Sequence, residues 1–180
     1  MKKVRFTTRD IAYISLFSVL LIISSWICIP TPIPFTMQNF GIVFTTLTLG
    51  RRRAFFSVLI YLLAGLIGFP VFAGFRSGLG VLTSPTGGYI LGMLFLPIII
   101  GRKSERHTNH ILSDICSCTF AMLALYLFGS LWYMFLFAQN ANGLFPILSV
   151  CVFPFLVPDA IKCILGVVCA KKFRTRFLSR

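Results

Sequence analysis

The sequence predicts an all-α, polytopic membrane protein with six transmembrane helices and both termini in the cytoplasm. Composition is the first reason: 57% of the 180 residues are hydrophobic and only 12% charged. Mean hydropathy is +0.91, far from soluble globular norms. The second reason is that the apolar residues come in runs long enough to cross a bilayer. The third is that Lys and Arg cluster in short segments between those runs. A net charge of +13 would suggest nucleic acid in a soluble protein, but so distributed it encodes topology, and no nucleic-acid partner is expected. Residues 1–180 read as one domain.

Asp10 to Ile29 has the length of a full span, at about 1.5 Å per residue against a hydrocarbon core of about 30 Å. It is too long for the apolar core of a signal peptide and lacks a small-residue cleavage site after it, so a retained helix is expected. Ile29-Pro30-Thr31-Pro32-Ile33-Pro34-Phe35 cannot be helical, because three prolines remove donors and push their predecessors into extended geometry. Thr36 to Gly50 is a shorter apolar segment with Gln38 and Asn39 near its start. Polar groups at that depth require surrounding protein or a cavity. Arg51-Arg52-Arg53 predicts a turn before a third helix from Ala54 to Phe69.

Pro70 to Pro85 is glycine-rich and predicts a loop, with Gly74, Gly78 and Gly80 open to conformations closed to other residues. Thr86 to Gly101 is the fourth predicted span. A polar turn, Arg102 to His107, leads to a fifth from about Ile111 to Phe137. Ala138 to Leu144 predicts a loop. Phe145 to Val157 is apolar but interrupted by Pro146 and Pro154, and a last helix is predicted from Pro158 to about Ala170 before a basic tail. With six spans, all but two of the 17 basic residues fall on one side, which the positive-inside rule makes cytoplasmic. The exceptions are Arg76 and Lys162, both on the outward half with Asp159.

Asp159 and Lys162 are the residues that most need a purpose. An unpaired charge near the bilayer centre costs about 2.5–3.5 kcal/mol on insertion scales, so intramembrane ionisable residues face a cavity or a partner and are functional candidates. Three apart, they share a helical face. Pro158 fits the first helical position, which would put Asp159 in the first turn, where the helix dipole favours negative charge. The pair either neutralises itself so that the helix can insert or offers two poles to a small polar ligand.

The other motifs are less specific. Phe72-Ala73-Gly74-Phe75-Arg76-Ser77-Gly78-Leu79-Gly80 lacks the Gly-Lys-Ser/Thr ending and βα context of a phosphate loop. Arg76 within it is either a solvated charge or an anion contact. Pro85-Thr86-Gly87-Gly88-Tyr89 fits a close-packed helix start, and Tyr89, Phe35 and Trp26 fit an interfacial aromatic belt. Cys28, Cys116, Cys118, Cys151, Cys163 and Cys169 are scattered among apolar residues as small hydrophobes. Cys116-x-Cys118 lacks the spacing and histidines of a metal or redox site. His107 and His110 lie in a basic turn with no carboxylate or serine placed for a triad. No catalytic or metal constellation is predicted.

Pro34-Phe35-Thr36-Met37-Gln38, Gly65-x-x-Gly68-Phe69-Pro70-Val71-Phe72, Ser84-Pro85-Thr86-Gly87-Gly88-Tyr89 and Pro158-Asp159-x-x-Lys162 stand in the order and spacing of one known family. In these motifs, from first helix to last, the chain resembles BioY, the biotin-specific S component of energy-coupling factor (ECF) transporters. The resemblance implies a six-helix protein of a prokaryotic cytoplasmic membrane that captures biotin on the outer side. It further implies toppling within the lipid when the S component joins a transmembrane coupling protein and two ATPase subunits. Nucleotide hydrolysis belongs to those partners, so the chain itself is expected to be no enzyme and to hold no cofactor, only the ligand biotin.

On that resemblance, Asp159 accepts from the ureido N–H groups in a charge-assisted bond, while Lys162 or Arg76 meets the carboxylate or the ureido oxygen. Phe35, Phe72 and Tyr89 wall the bicycle, and the proline-stiffened loop with Thr36 and Gln38 acts as a lid. The family's small residues four apart on the first helix, which meet the coupling protein, are absent: Leu16 follows Ala12 and Val19 follows Ser15. Ala12, Ser15 and Ser18 recur at three-residue spacing instead, and Ser77 stands where the family pattern has glycine. The alternatives are a solitary biotin transporter, an S component for another vitamin, a membrane enzyme acting on a lipid or quinone, and a non-transporting assembly protein.

Overall fold

The computed structural model describes residues 6–31, 34–104, 111–137, 148 and 152–177. Helix α1 (Thr8–Trp26) starts on a capping box, Thr7 accepting from the Asp10 N–H while Asp10 accepts from the Thr7 backbone, so two otherwise orphaned donors are satisfied. It runs into a two-stranded hairpin, β1 (Cys28–Ile29) pairing antiparallel with β2 (Phe35–Thr36). Helix α2 (Gln38–Leu49) follows at once. The proline stretch therefore opposes helix as predicted, and its flanks pair with each other.

Helix α3 (Arg51–Ile67) begins directly after Gly50, whose φ of 82° turns the chain in one residue. Arg51, Arg52 and Arg53 were expected to form the turn; they are instead the first helical turn, because a glycine in a left-handed conformation makes a longer connection unnecessary. Beyond α3, a 3₁₀ turn (Ala73–Phe75) and short α4 (Leu79–Leu82) structure the glycine-rich segment that reads as loop. The span expected from Thr86 to Gly101 is two helices, α5 (Gly87–Gly92) and α6 (Phe95–Ser104), broken at Met93 and Leu94. Pro97 accounts for the break: having no N–H, it fits only the first turn of a new helix. Helix α7 (Ile111–Phe137) matches its predicted bounds.

The last helix, α8 (Phe153–Phe177), departs most from expectation. Pro158 lies inside it and not at its start, so Asp159 is beyond the first turn. The basic residues expected to form a tail continue the helix through Phe177. Pro158 is tolerated because the carbonyl it would bond belongs to Pro154, one residue into the helix, where local readjustment can satisfy it. The loop predicted over Ala138 to Leu144, most of the segment before Phe153, Cys151, and His107 with His110 lie outside the described residues.

Three helices, Thr8–Trp26, Ile111–Leu136 and Phe153–Arg174, are long and apolar enough to cross a membrane. The bundle has two chemically distinct ends. At one, Arg53 Nε bonds Asp10 Oδ1 at 2.6 Å, joining the starts of α1 and α3, and Lys171 Nζ lies 3.4 Å from Asp114 Oδ2, joining the start of α7 to the later turns of α8. At the other, the Trp26 indole N–H donates to the Pro70 carbonyl at 2.9 Å and its ring packs on Phe75 at 5.1 Å. Trp26, expected only as a belt residue, thus ties the end of α1 to the segment after α3.

Helix α2 is the hub, packed against α1, α3, α6 and α8. A Cβ on Gly41 would stand 2.8 Å from Ser24 Oγ, and one on Gly166 2.9 Å from Val43 Cγ1. Small residues let helices approach closely where apolar burial gives no drive between them in lipid. Two buried hydroxyls are returned to backbone, Ser18 to the Ile14 and Ser57 carbonyls and Thr46 to that of Ile42.

Candidate functional site

At the end of the bundle opposite the basic cluster lies a cavity of about 90 Å³, several times what a single water requires. Its floor is α8. Asp159 is 4% exposed, and its carboxylate is held from three sides. Lys162 Nζ donates to Oδ1 at 2.8 Å, while Asn39 Nδ2 and the Tyr126 hydroxyl donate to Oδ2 at 2.9 and 2.6 Å. Helices α8, α2 and α7 thus converge on one carboxylate. A carboxylate offers about four lone-pair sites, so one remains. Breaking such a buried pair by removing one partner costs about 3–5 kcal/mol.

Thr36 and Gln38 also line the cavity. Thr36 Oγ1 donates to Gln38 Oε1 at 2.9 Å, and buried Gln38 donates through Nε2 to the Tyr61 hydroxyl on α3. The proline-flanked strand is thereby fixed to the helix behind it. Tyr61 meets Phe72 edge-on at 5.7 Å, and Phe72 forms an apolar wall. Gly65 gives that ring its place, since a Cβ there would come within 2.2 Å of Phe72 Cζ.

Arg76 lines the cavity from an exposed position. It follows two residues of positive φ, Gly74 at 68° and Phe75 at 58°, a tight reversal closed by the Phe72 N–H donating to the Arg76 carbonyl at 3.1 Å. Its Nε returns to the Ala73 carbonyl at 3.2 Å. Two cations thus line one cavity at different depths, Lys162 partly buried beside Asp159 and Arg76 exposed. Tyr89 contributes another wall, its hydroxyl 3.1 Å from Ser130 Oγ.

Seven of the eight predicted ligand-contacting residues, Asp159, Lys162, Arg76, Tyr89, Phe72, Thr36 and Gln38, meet at this cavity. The eighth, Phe35, is not in its lining. It stacks on Phe155 at 4.2 Å and lies 5.9 Å from Lys162 Nζ, so it backs the wall that Phe155 forms. Of the residues expected at a partner interface, Ala12 and Ser15 are exposed, but Ser18 is buried against Ser57 of α3. Ser18 is therefore not on the outward face of α1: each three-residue step turns about 300°, so two steps leave Ser18 about 120° round the helix from Ala12, toward the bundle.

Asn39, Tyr126 and Phe155 belong to the site and were not singled out from sequence. Asn39 had a signal, as an amide next to Gln38 in an apolar segment. Tyr126 had none, being one aromatic among many on α7. Phe155 was hidden in a segment whose prolines obscured its helix.

The chain matches the BioY family over residues 1–179. The protein named "Probable biotin transporter BioY" from Pyrococcus horikoshii is 30% identical over 169 residues, covering 92% of this chain and 96% of that one. Biotin transporter BioY2 of Lactococcus lactis subsp. cremoris is 32% identical over 157 residues, covering 87% and 85%. Among solved structures, the S-component for biotin from an ECF-type ABC transporter superposes with a TM-score of 0.82 at 27% identity, over 96% of each chain. A match along nearly the whole sequence, with the same fold, places this chain in the BioY family.

Proposed function

We propose that this chain captures biotin at the outer face of a prokaryotic cytoplasmic membrane and delivers it inward as the substrate-specific subunit of an ECF-type transporter. The observation that carries the proposal is the pairing of buried Asp159 with partly buried Lys162 in the lining of a cavity with apolar walls. Biotin presents two ureido N–H donors, one ureido carbonyl, an apolar bicycle and a carboxylate. Asp159 retains one acceptor site. Beside it, buried Asn39 Oδ1 has no hydrogen-bond partner among the described residues, and an unpaired acceptor in low dielectric is a cost that a ligand N–H removes. Phe72, Tyr89 and Phe155 offer the bicycle apolar contact. Lys162 and Arg76 each suit the carboxylate or the ureido oxygen.

Six spans with both termini inside complete the proposal, and the distribution of Lys and Arg supports it. Assembly with a transmembrane coupling protein and two ATPase subunits follows from the same kinship. The altered spacing of small residues on α1 favours a second reading, in which the chain transports biotin alone. Ligand identity is tested by equilibrium dialysis of the purified chain with labelled biotin. Excess unlabelled biotin should displace the label, and thiamine or riboflavin should not. Absence of bound label, or displacement by any vitamin alike, contradicts the proposal.

A further inference from the structure

The opposite end of the bundle carries a second depression, an open groove of about 470 Å³ walled by Phe55, Phe56 and Ile98 and edged by Arg51 and Arg52. Its arginines are unusual in place and in pairing. They occupy the first turn of α3, which has no acidic residue and no side-chain cap, where the helix dipole disfavours positive charge. The chain has four acidic residues. Asp10 is paired with Arg53, Asp114 with Lys171 and Asp159 with Lys162, while Glu105 lies outside the described residues. Arg52 lies 4.5 Å over the Phe6 ring, a contact that orients a cation without neutralising it. Neither Arg51 nor Arg52 has a carboxylate partner among the described residues.

The groove therefore joins an unneutralised double positive charge to an apolar trough, one helical turn apart on α3. An occupant complementary to both ends is anionic at its head and hydrocarbon behind it. We infer that this groove seats an anionic phospholipid from the leaflet at the arginine end of the bundle. The phosphate would lie between Arg51 and Arg52, whose guanidinium groups suit phosphate geometry. An acyl chain would lie along Phe55 and Ile98. A soluble anion would use the arginines alone, and a zwitterionic lipid would use mainly the trough.

Native mass spectrometry of the detergent-purified full chain tests this, with phosphatidylglycerol and phosphatidylcholine of identical acyl chains. Phosphatidylglycerol should be retained roughly thirtyfold more, on the scale of two arginines near an anionic surface. That excess should vanish in the R51Q/R52Q double variant. Ile98→Trp keeps both arginines but fills the trough, and it should also lower retention, with an unchanged thermal transition showing that the variant is folded. Glycerol phosphate should not compete. Equal retention of the two lipids, undiminished retention in either variant, or competition by glycerol phosphate as strong as that by lipid overturns the inference. So does a gain in phosphatidylglycerol retention on Glu105→Gln, which would identify a segment of the chain itself as the occupant.

Discussion

Asp159 shows how a charge can be kept in an apolar bundle without being spent. Three donors from three helices hold its carboxylate, yet one acceptor site remains. That Asp159 and Lys162 would meet a partner or a cavity was legible in the sequence, since their types alone demand one or the other, and they do pair in the lining of one. The role of Tyr126 was not, because a hydroxyl in an apolar helix gains meaning only from what it faces. Hydrogen bonds to charged groups contribute about 1.5–3 kcal/mol. Tyr126→Phe should therefore weaken biotin binding by about tenfold to a hundredfold while leaving the apolar walls in place. Equilibrium dialysis measures this, and unchanged affinity would show that the Tyr126 bond does not position the carboxylate.

Among the elements, helices ending at glycines and polar segments were legible, and those interrupted by proline were misread. Pro158 looked like a first helical residue because proline favours that position, but Pro154 lies four residues earlier and the helix already begins at Phe153. Conversely, Pro97 was read through as mid-span where the helix in fact restarts. Helix α3 illustrates how an element serves the site at a distance: Gly65 leaves room for Phe72, which in turn walls the cavity. Gly65→Ala should force the ring aside. Overpacking of this kind costs about 1–3 kcal/mol, seen as a lower thermal transition in detergent, and biotin affinity should fall with it. If stability and affinity both hold, the Phe72 wall is more adaptable than its packing indicates.

The whole molecule separates two kinds of chemistry by its ends. One end gathers Arg51 to Arg53, Asp10, Asp114 and Lys171, and the other holds the cavity under the hairpin. That polarity was readable from the spacing of Lys and Arg between apolar runs, whereas the pairing of the hairpin strands was not, because their partners are distant from any periodic signal. Transport is a property at this scale. In a host deprived of its own biotin uptake, co-expression with a coupling protein and two ATPase subunits should raise labelled-biotin accumulation above that of the chain alone. Equal accumulation in both cases would favour solitary transport, as the spacing of Ala12 and Ser15 on α1 allows.

The most direct test is calorimetric titration of biotin into the purified chain and into its Asp159→Asn and Lys162→Ala variants, each confirmed as folded and inserted. If the two charges are the poles of the pocket, each substitution raises Kd by about a hundredfold or more. Parental affinity in both variants would mean that biotin is held elsewhere, and that Asp159 and Lys162 merely neutralise one another within the membrane.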